Sequence, residues 1–159
     1  QLRLWGKDNS GEDLVFNVNN GGVYYWDKSG GVSAPAVALS AKAGADGFAP
    51  TVATQALVSE LGKHVICLGA NEQGSTTQDP MLIRWSDTEN PNIWQVLNEN
   101  NAGDYRLSSG SKIIGGIKTR QEILIWTDTA LYAMTYSGTN FVFNFSLMDE
   151  GTSILSPNA

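Results

Sequence analysis

Three short aromatic and acidic segments carry the side chains best suited to chemistry in this sequence. Trp is followed by a small polar residue and Asp at 85–87 and 126–128, and 25–27 holds a similar place after an apolar stretch. An indole ring can stack on a sugar while a carboxylate accepts hydrogen bonds from its hydroxyls. The candidate aromatic platform consists of Trp85, Trp94 and Trp126. The interpretation we favour is structural: the indole fills the gap between neighbouring sheets, and the Asp caps the following turn.

Acidic residues in the same segments could act as a general acid or base. A glycan hydrolase needs two carboxylates, and the candidates are Asp87, Glu89 and Asp128. Against this, His64 is the only histidine, and neither a nucleophile elbow nor a phosphate-binding loop occurs. The single cysteine, Cys67, excludes an internal disulfide and a multi-cysteine metal site. The segment 8–13 lacks the full spacing of a calcium loop. We therefore expect no enzyme activity, no metal and no cofactor.

Composition and charge narrow the class of protein. Charged residues make up 16% of the chain, against roughly 25% in an average soluble domain. The 159 residues include 17 Gly and five each of Trp, Tyr and Phe, which is typical of a turn-rich β protein. The net charge of −6 argues against binding to nucleic acid or anionic lipid, which requires a basic surface. No apolar stretch approaches about 18 residues, so we expect no membrane insertion.

Alternating apolar and polar residues predict three β-hairpins. The clearest has strands at 12–18 and 23–27 around an Asn-Asn-Gly-Gly turn, whose residues tolerate positive φ. The other two pair 64–68 with 81–87 and 122–126 with 130–136. Flanking strands extend each hairpin to a four-stranded antiparallel meander; they are predicted at 2–5 and 34–39, at 52–59 and 93–97, and at 113–119 and 141–148. Two alternatives stay open, an exposed loop at 33–47 and a short helix at 51–61.

A four-stranded meander is the unit of a β-propeller blade. The sequence thus predicts an all-β fold of about three blade-like repeats, part of a larger propeller, because closed propellers use about four to eight blades. The repeats are 1–39, 52–97 and 113–148, with loops at 40–51 and 98–112, and 149–159 leads into a following element. The chain starts within an expected strand, without Met, so we expect a segment of a longer protein; copies completing a ring together are the alternative.

Several segments resemble, in order, large tail-associated structural proteins of bacteriophages. The first is 11–14 with 22–27, and the most specific is Trp85, Ser86 and Asp87 followed by 90–94 (Asn-Pro-Asn-Ile-Trp). The segments 102–116 and 121–132 continue the likeness, which spans nearly the whole chain. It implies a virion protein built largely of propeller-like β repeats, without catalysis in this region. This chain is much shorter than those proteins, which leaves its place in the tail open.

The expected function is therefore that of a non-catalytic structural component of a phage virion, in the tail, nozzle or head–tail connector. It would act in assembly through contacts with other virion proteins and with copies of itself. The alternative is a propeller module that binds a host surface glycan or receptor through the aromatic platform. Neither function calls for specific nucleic-acid binding or insertion into a membrane.

Overall fold

The computed structural model describes residues 3–138 and 141–157. These residues form three four-stranded antiparallel sheets, and their only helices are two single 3₁₀ turns, Lys28–Gly30 and Leu39–Ala41. Within each sheet the strands lie in the order in which they follow one another along the chain. The prediction of an all-β fold made of three four-stranded meanders is confirmed.

The strand boundaries follow the turn residues. Gly11 and Asn20 adopt positive φ (65° and 54°) in the two tight turns of the first sheet. That sheet consists of β1 (Trp5–Ser10), β2 (Asp13–Val18), β3 (Val23–Trp26) and β4 (Val37–Ala38). The second consists of β5 (Gln55–Val58), β6 (Val65–Leu68), β7 (Leu82–Trp85) and β8 (Gly103–Arg106). The third consists of β9 (Ile113–Lys118), β10 (Glu122–Thr127), β11 (Ala130–Tyr136) and β12 (Phe143–Glu150).

One predicted strand is wrong. The segment 93–97 does not pair with β7, because one carboxylate oxygen of Asp46 accepts the backbone N–H groups of Trp94 (2.6 Å) and Gln95 (2.8 Å). The partner of β7 is β8, which lies in the segment 98–112 that was predicted as a loop. Other boundaries shift by less: the strand predicted at 2–5, whose residue 2 lies outside the described residues, is found at Trp5–Ser10, and the fourth is reduced to Val37–Ala38. The helix alternative at 51–61 is replaced by strand β5.

The second sheet lies between the other two, and its strands β6 and β7 are buried on both faces. All residues of β6 and β7 are buried; β6 is a continuous apolar stretch, and β7 contains the buried Arg84. The first core joins the first and second sheets and includes Val15, Val23, Tyr25, Ala56, Val65, Cys67 and Trp94. The second core joins the second and third sheets and includes Ile66, Leu68, Ile83, Trp85, Ile123, Ile125, Met134 and Phe143.

The first strands of the three sheets are linked by polar side chains. The amide of Gln55 on β5 donates to the carbonyl of Gly116 on β9 (3.0 Å) and accepts the N–H of the same residue (2.8 Å). The carboxylate of Asp8 on β1 accepts the N–H of Val58 on β5 (2.9 Å) and pairs with Lys118 on β9 (2.7 Å). Three polar residues thus hold β1, β5 and β9 together.

The chain after β12 returns to the first strand of the third sheet. A Cβ atom at Gly115 would lie 3.0 Å from the Cβ of Pro157. The equivalent glycine of the first sheet, Gly6, has the side chain of Gln55 at the corresponding place, 3.2 Å from a Cβ position. In the segment 149–159, Asp149 and Glu150 still belong to β12, and the described residues 151–157 are irregular chain whose Pro157 packs beside β9. The role of 149–159 in leading to a further element stays a prediction.

Candidate binding surfaces

Trp94 is a buried core residue and not part of an exposed platform. Its side chain is 1% exposed, in the first core. The indole N–H donates to the carbonyl of Pro91 (2.8 Å), and the guanidinium of Arg84 lies 5.9 Å from the ring centre. Arg84, itself buried, donates to the carbonyls of Phe48 (2.6 Å) and Asn71 (3.2 Å). Burial lowers the pKa of Arg84, and Asp46 and Asp104 partly offset this through their charges.

Trp85 fills the gap between the second and third sheets. It is 6% exposed, and its ring packs edge-on against Phe143 of β12, with a centroid distance of 5.2 Å. Its N–H donates to the carbonyl of Asn101 (2.9 Å). Gly103 opposite must lack a side chain, because a Cβ there would lie 2.4 Å from the indole. Trp85 and Trp94 therefore present no ring face to solvent, and the predicted platform is corrected for these two residues.

Trp126 differs, because it is only partly buried. It lies on β10 opposite Leu131 of β11 and Gly115 of β9, on the side of the third sheet that faces away from the second core. Its partly exposed neighbours on that side extend the apolar surface. We call this surface the third-sheet outer face; it contains Ile117, Leu124, Trp126 and Leu131.

A second aromatic surface, missed by the sequence analysis, lies on the opposite side of the molecule. On the first sheet, Trp5 is 54% exposed and tilts against Phe16 (6.1 Å between ring centroids), which stacks on Tyr24 (5.5 Å). Directly opposite residues of antiparallel strands point to the same face of a sheet, so the register of β1, β2 and β3 identifies the other residues of this surface. We call this surface the first-sheet outer face; it contains Trp5, Leu14, Phe16, Val18, Tyr24 and Trp26. Strict alternation with buried Val15 and Asn17 was the signal that could have revealed it.

The candidate acid and base residues hold loops in place. Asp87 accepts the N–H groups of Thr88 (2.8 Å) and Asn101 (2.9 Å). Asp128 accepts the hydroxyl (2.5 Å) and N–H (2.8 Å) of Ser111, and these hydrogen bonds lower its pKa. Glu89, in a left-handed conformation (φ 51°), donates its N–H to the carbonyl of Gly62 (2.9 Å). The favoured turn-capping interpretation therefore describes Asp87, while Asp128 anchors the loop before β9.

An open groove runs beside the buried Trp85, with a volume of about 690 Å³. Its most exposed ring pair is Tyr105 of β8 and Phe145 of β12, which stack in parallel with centroids 4.2 Å apart. Tyr105 is 45% exposed, and Phe141 and the amide of Asn98 also border the groove. Stacked aromatic rings beside amide groups are suited to the apolar face and hydroxyls of a sugar.

Two titratable groups are buried in the sheet interior. Burial raises the pKa of the Cys67 thiol to about 12, so it is held as a neutral apolar group. The ring of His64 is fully buried; its Nδ1 donates to the carbonyl of Ser86 (2.7 Å), and its Nε2 finds no partner among the described residues. Burial lowers the pKa of His64, against smaller opposing effects of Ser86 and Asp87. Both groups serve packing.

Comparison of the chain with protein-family models and with curated proteins found no match. In residues 3–138 and 141–157, no set of three or more His, Cys, Asp or Glu side chains is arranged to hold a metal ion. Within the same ranges, neither helical turn has the length and apolar character that crossing a bilayer would require.

Proposed function

We propose that this chain is a structural β-repeat segment whose sheets act as propeller-like blades. The support is the packing: three meanders lie face to face, each sheet shares a core with the next, and the first strands are joined by polar links. In a propeller, blades pack face to face around a centre lined by their first strands. The polar links of Asp8, Gln55 and Lys118 are compatible with such a centre.

The observation that carries an assembly role is the contrast between the sheets. The second sheet is covered on both faces, whereas the first and third each have one covered face and one partly exposed face rich in apolar and aromatic residues. Contiguous apolar surfaces of this kind mark contacts with other proteins. Aromatic residues are also enriched at interface cores. The chain therefore functions in assembly, through protein–protein contacts at the partly exposed faces of its first and third sheets.

The place of assembly in this proposal is a bacteriophage virion, in the tail, nozzle or head–tail connector. It is supported by the resemblance of 85–94, 102–116 and 121–132 to tail-associated structural proteins. The partners would be other virion proteins and copies of the same chain. The net charge of −6 is compatible with a component that does not grip DNA.

The test is to locate the chain in particles. Antibodies raised against the purified chain should decorate the tail or neck of the phage that encodes it, and mass spectrometry of purified virions should detect its peptides. Detection of the chain only in infected-cell lysate, and never in purified particles, would contradict the proposal.

The second candidate function is glycan or receptor binding, favoured by the exposed Tyr105 and Phe145 stack. On a glycan array, Tyr105→Ala should abolish binding while far-UV circular dichroism stays unchanged. Trp94→Ala is not a usable test of a platform, because loss of this buried ring would lower stability. Equal array signals for the unmodified chain and Tyr105→Ala would exclude this groove as the binding site.

A further inference from the structure

The packing of the three sheets has a direction. Leu14, Val65 and Ile123 occupy equivalent positions in the second strands, and the next residues, Val15 and Ile66, point to the opposite side. Val65 lies in the first core, facing the preceding sheet, and Ile123 lies in the second core, also facing the preceding sheet. We call this side of each sheet its leading face and the other side its trailing face. Inside the chain, a trailing face always covers the leading face of the next sheet.

The two partly exposed faces are of opposite kinds. The first-sheet outer face holds Leu14 and is a leading face on which no sheet formed by the described residues packs. The third-sheet outer face holds Leu124 and is a trailing face on which no sheet formed by residues 3–138 and 141–157 packs; Pro157 lies against it at Gly115, the direct partner of Trp126. Within the chain, a trailing face packs on a leading face twice, between the first and second sheets and between the second and third. A contact between the two outer faces would repeat this packing.

We propose that the first-sheet outer face of one copy binds the third-sheet outer face of a second copy, head to tail. The inference rests on the proposed function, because it names the partner of the surfaces that carry it. Head-to-tail contacts close into rings when the rotation permits. Two copies supply six sheets, within the range of about four to eight that propellers use.

Charge also favours head-to-tail pairing over pairing of like faces. Lys7 lies on the first-sheet outer face, as the direct partner of Phe16. Glu122 and Asp149 lie on the side of the third sheet that holds Leu131, since Asp149 pairs with Leu131 and Glu122 alternates with the core residue Ile123. Opposite charges across an interface favour the correct partner, and like charges oppose the wrong one.

The first measurement is the molar mass of the chain in solution, by light scattering or sedimentation across the micromolar range. We expect a dimer. Trp5→Asp and Ile117→Asp each place a carboxylate in one outer face, at residues 54% and 56% exposed, so the monomer should still fold. Each should raise the dissociation constant about 30-fold or more, the loss of one interface hot spot. Val32→Asp, at an exposed residue outside both faces, is the matched control and should remain dimeric.

Mixing the two variants tests the direction. In a sample of one variant alone, every head-to-tail contact would include a substituted face, so each variant should be monomeric. Mixed in equal amounts, the intact third-sheet outer face of Trp5→Asp can bind the intact first-sheet outer face of Ile117→Asp, so heterodimers should form. If one variant dimerises alone while the other does not, like faces pair and the proposal is overturned. Where an aspartate variant fails to fold, Trp5→Ser or Ile117→Ser removes the apolar group without adding charge.

The outcomes separate this inference from the proposed function. A monomeric unmodified chain overturns the pairing of copies; if Trp5→Asp and Ile117→Asp are nevertheless lost from purified virions, the faces bind another virion protein and the assembly role stands. A head-to-tail dimer that never occurs in virions supports the pairing and contradicts the virion role.

Discussion

At the scale of single residues, two side-chain amides replace backbone pairing where one sheet meets the next. Asn17, fully buried on β2, accepts the N–H of Ala56 (2.8 Å) and donates to the carbonyls of Ala53 and Thr54 (3.1 Å each). Gln55 makes the corresponding two-way contact with Gly116. An amide carries both donors and acceptor sites, so it can satisfy neighbouring backbone groups as a strand would.

Asn17→Ala should therefore destabilise the fold strongly. The change removes the partner of the Ala56 N–H and of the Ala53 carbonyl, at a cost of about 1–3 kcal/mol for each unsatisfied buried group, while the Thr54 carbonyl keeps its contact with Asn19. Urea unfolding followed by circular dichroism should show a lower midpoint with the slope preserved. Asn19→Ala is a suitable comparison, since Asn19 donates through its side chain to only one of these carbonyls, that of Thr54 (3.2 Å). Equal losses in both variants would contradict the role assigned to Asn17.

His64 should make the fold sensitive to acid. Its folded-state pKa is lowered because burial disfavours the imidazolium, next to the rings of Phe143 and Tyr136. Below the ordinary histidine pKa of about 6.5, the unfolded chain binds a proton that the native chain does not. Stability is therefore fully present above that pH and falls as the pH drops, by no more than about 1.4 kcal/mol per pH unit for one proton.

The measurement is the free energy of unfolding between pH 7.5 and pH 5, for the unmodified chain and for His64→Gln. Glutamine can still donate to the carbonyl of Ser86 and does not titrate. All other titratable groups are the same in both proteins, so the difference between the two profiles isolates His64. Parallel profiles would show that His64 does not cause the acid sensitivity.

At the scale of elements, the polar contact of Asp8 and Lys118 ties the first sheet to the other two. Burial alone would lower the pKa of Lys118, but hydrogen bonds and charges of Asp8 and Glu60 outweigh it and raise that pKa. The ammonium is therefore held in its charged form. Asp8 also satisfies the buried N–H of Val58. Because the partly buried Asp8 both accepts a backbone N–H and pairs with Lys118, it should contribute more to the free energy of unfolding than an exposed ion pair does.

Asp8→Ala should thus lower the free energy of unfolding by about 1–3 kcal/mol, because it leaves the N–H of Val58 and the charge of Lys118 unpartnered by this carboxylate. The matched control is Glu12→Ala, which removes the exposed ion pair with Lys28 and should cost no more than about 1 kcal/mol. Chemical denaturation of both variants at one pH and salt concentration makes the comparison. A larger loss of unfolding free energy in Glu12→Ala than in Asp8→Ala would contradict the role assigned to Asp8.

The hairpins could be predicted from sequence because their information is local. Alternation sets the faces of β2, β3, β10 and β11, and the turn residues set where they end. The segment 93–97 is also rich in apolar residues, yet Asp46, almost fifty residues earlier, accepts the N–H groups of Trp94 and Gln95. Nothing in the spacing of the tryptophans distinguishes the buried Trp94 from the partly exposed Trp126. Those outcomes depend on which sheet packs on which, and spacing along the chain does not encode that directly.

At the scale of the whole molecule, the second sheet belongs to both cores. Cys67 and Val65 of β6 face the first core, while Ile66 and Leu68 of the same strand face the second. Unfolding either outer sheet would expose one full face of the second sheet to water. We therefore expect the three sheets to unfold together, because neither core keeps its packing surface without the shared sheet.

One truncation in each core tests this coupling. Val15→Ala acts in the first core and Ile125→Val in the second, both at fully buried residues, and Ile125→Val should cost about 0.5–1.5 kcal/mol. Each variant should shift one common transition, seen at the same urea concentration by tryptophan fluorescence and by circular dichroism. Two separated transitions, with each variant moving only one, would show that the cores are independent. A single transition is expected because β6 and β7 of the second sheet take part in both cores, so the loss of either core would expose one of their faces to water.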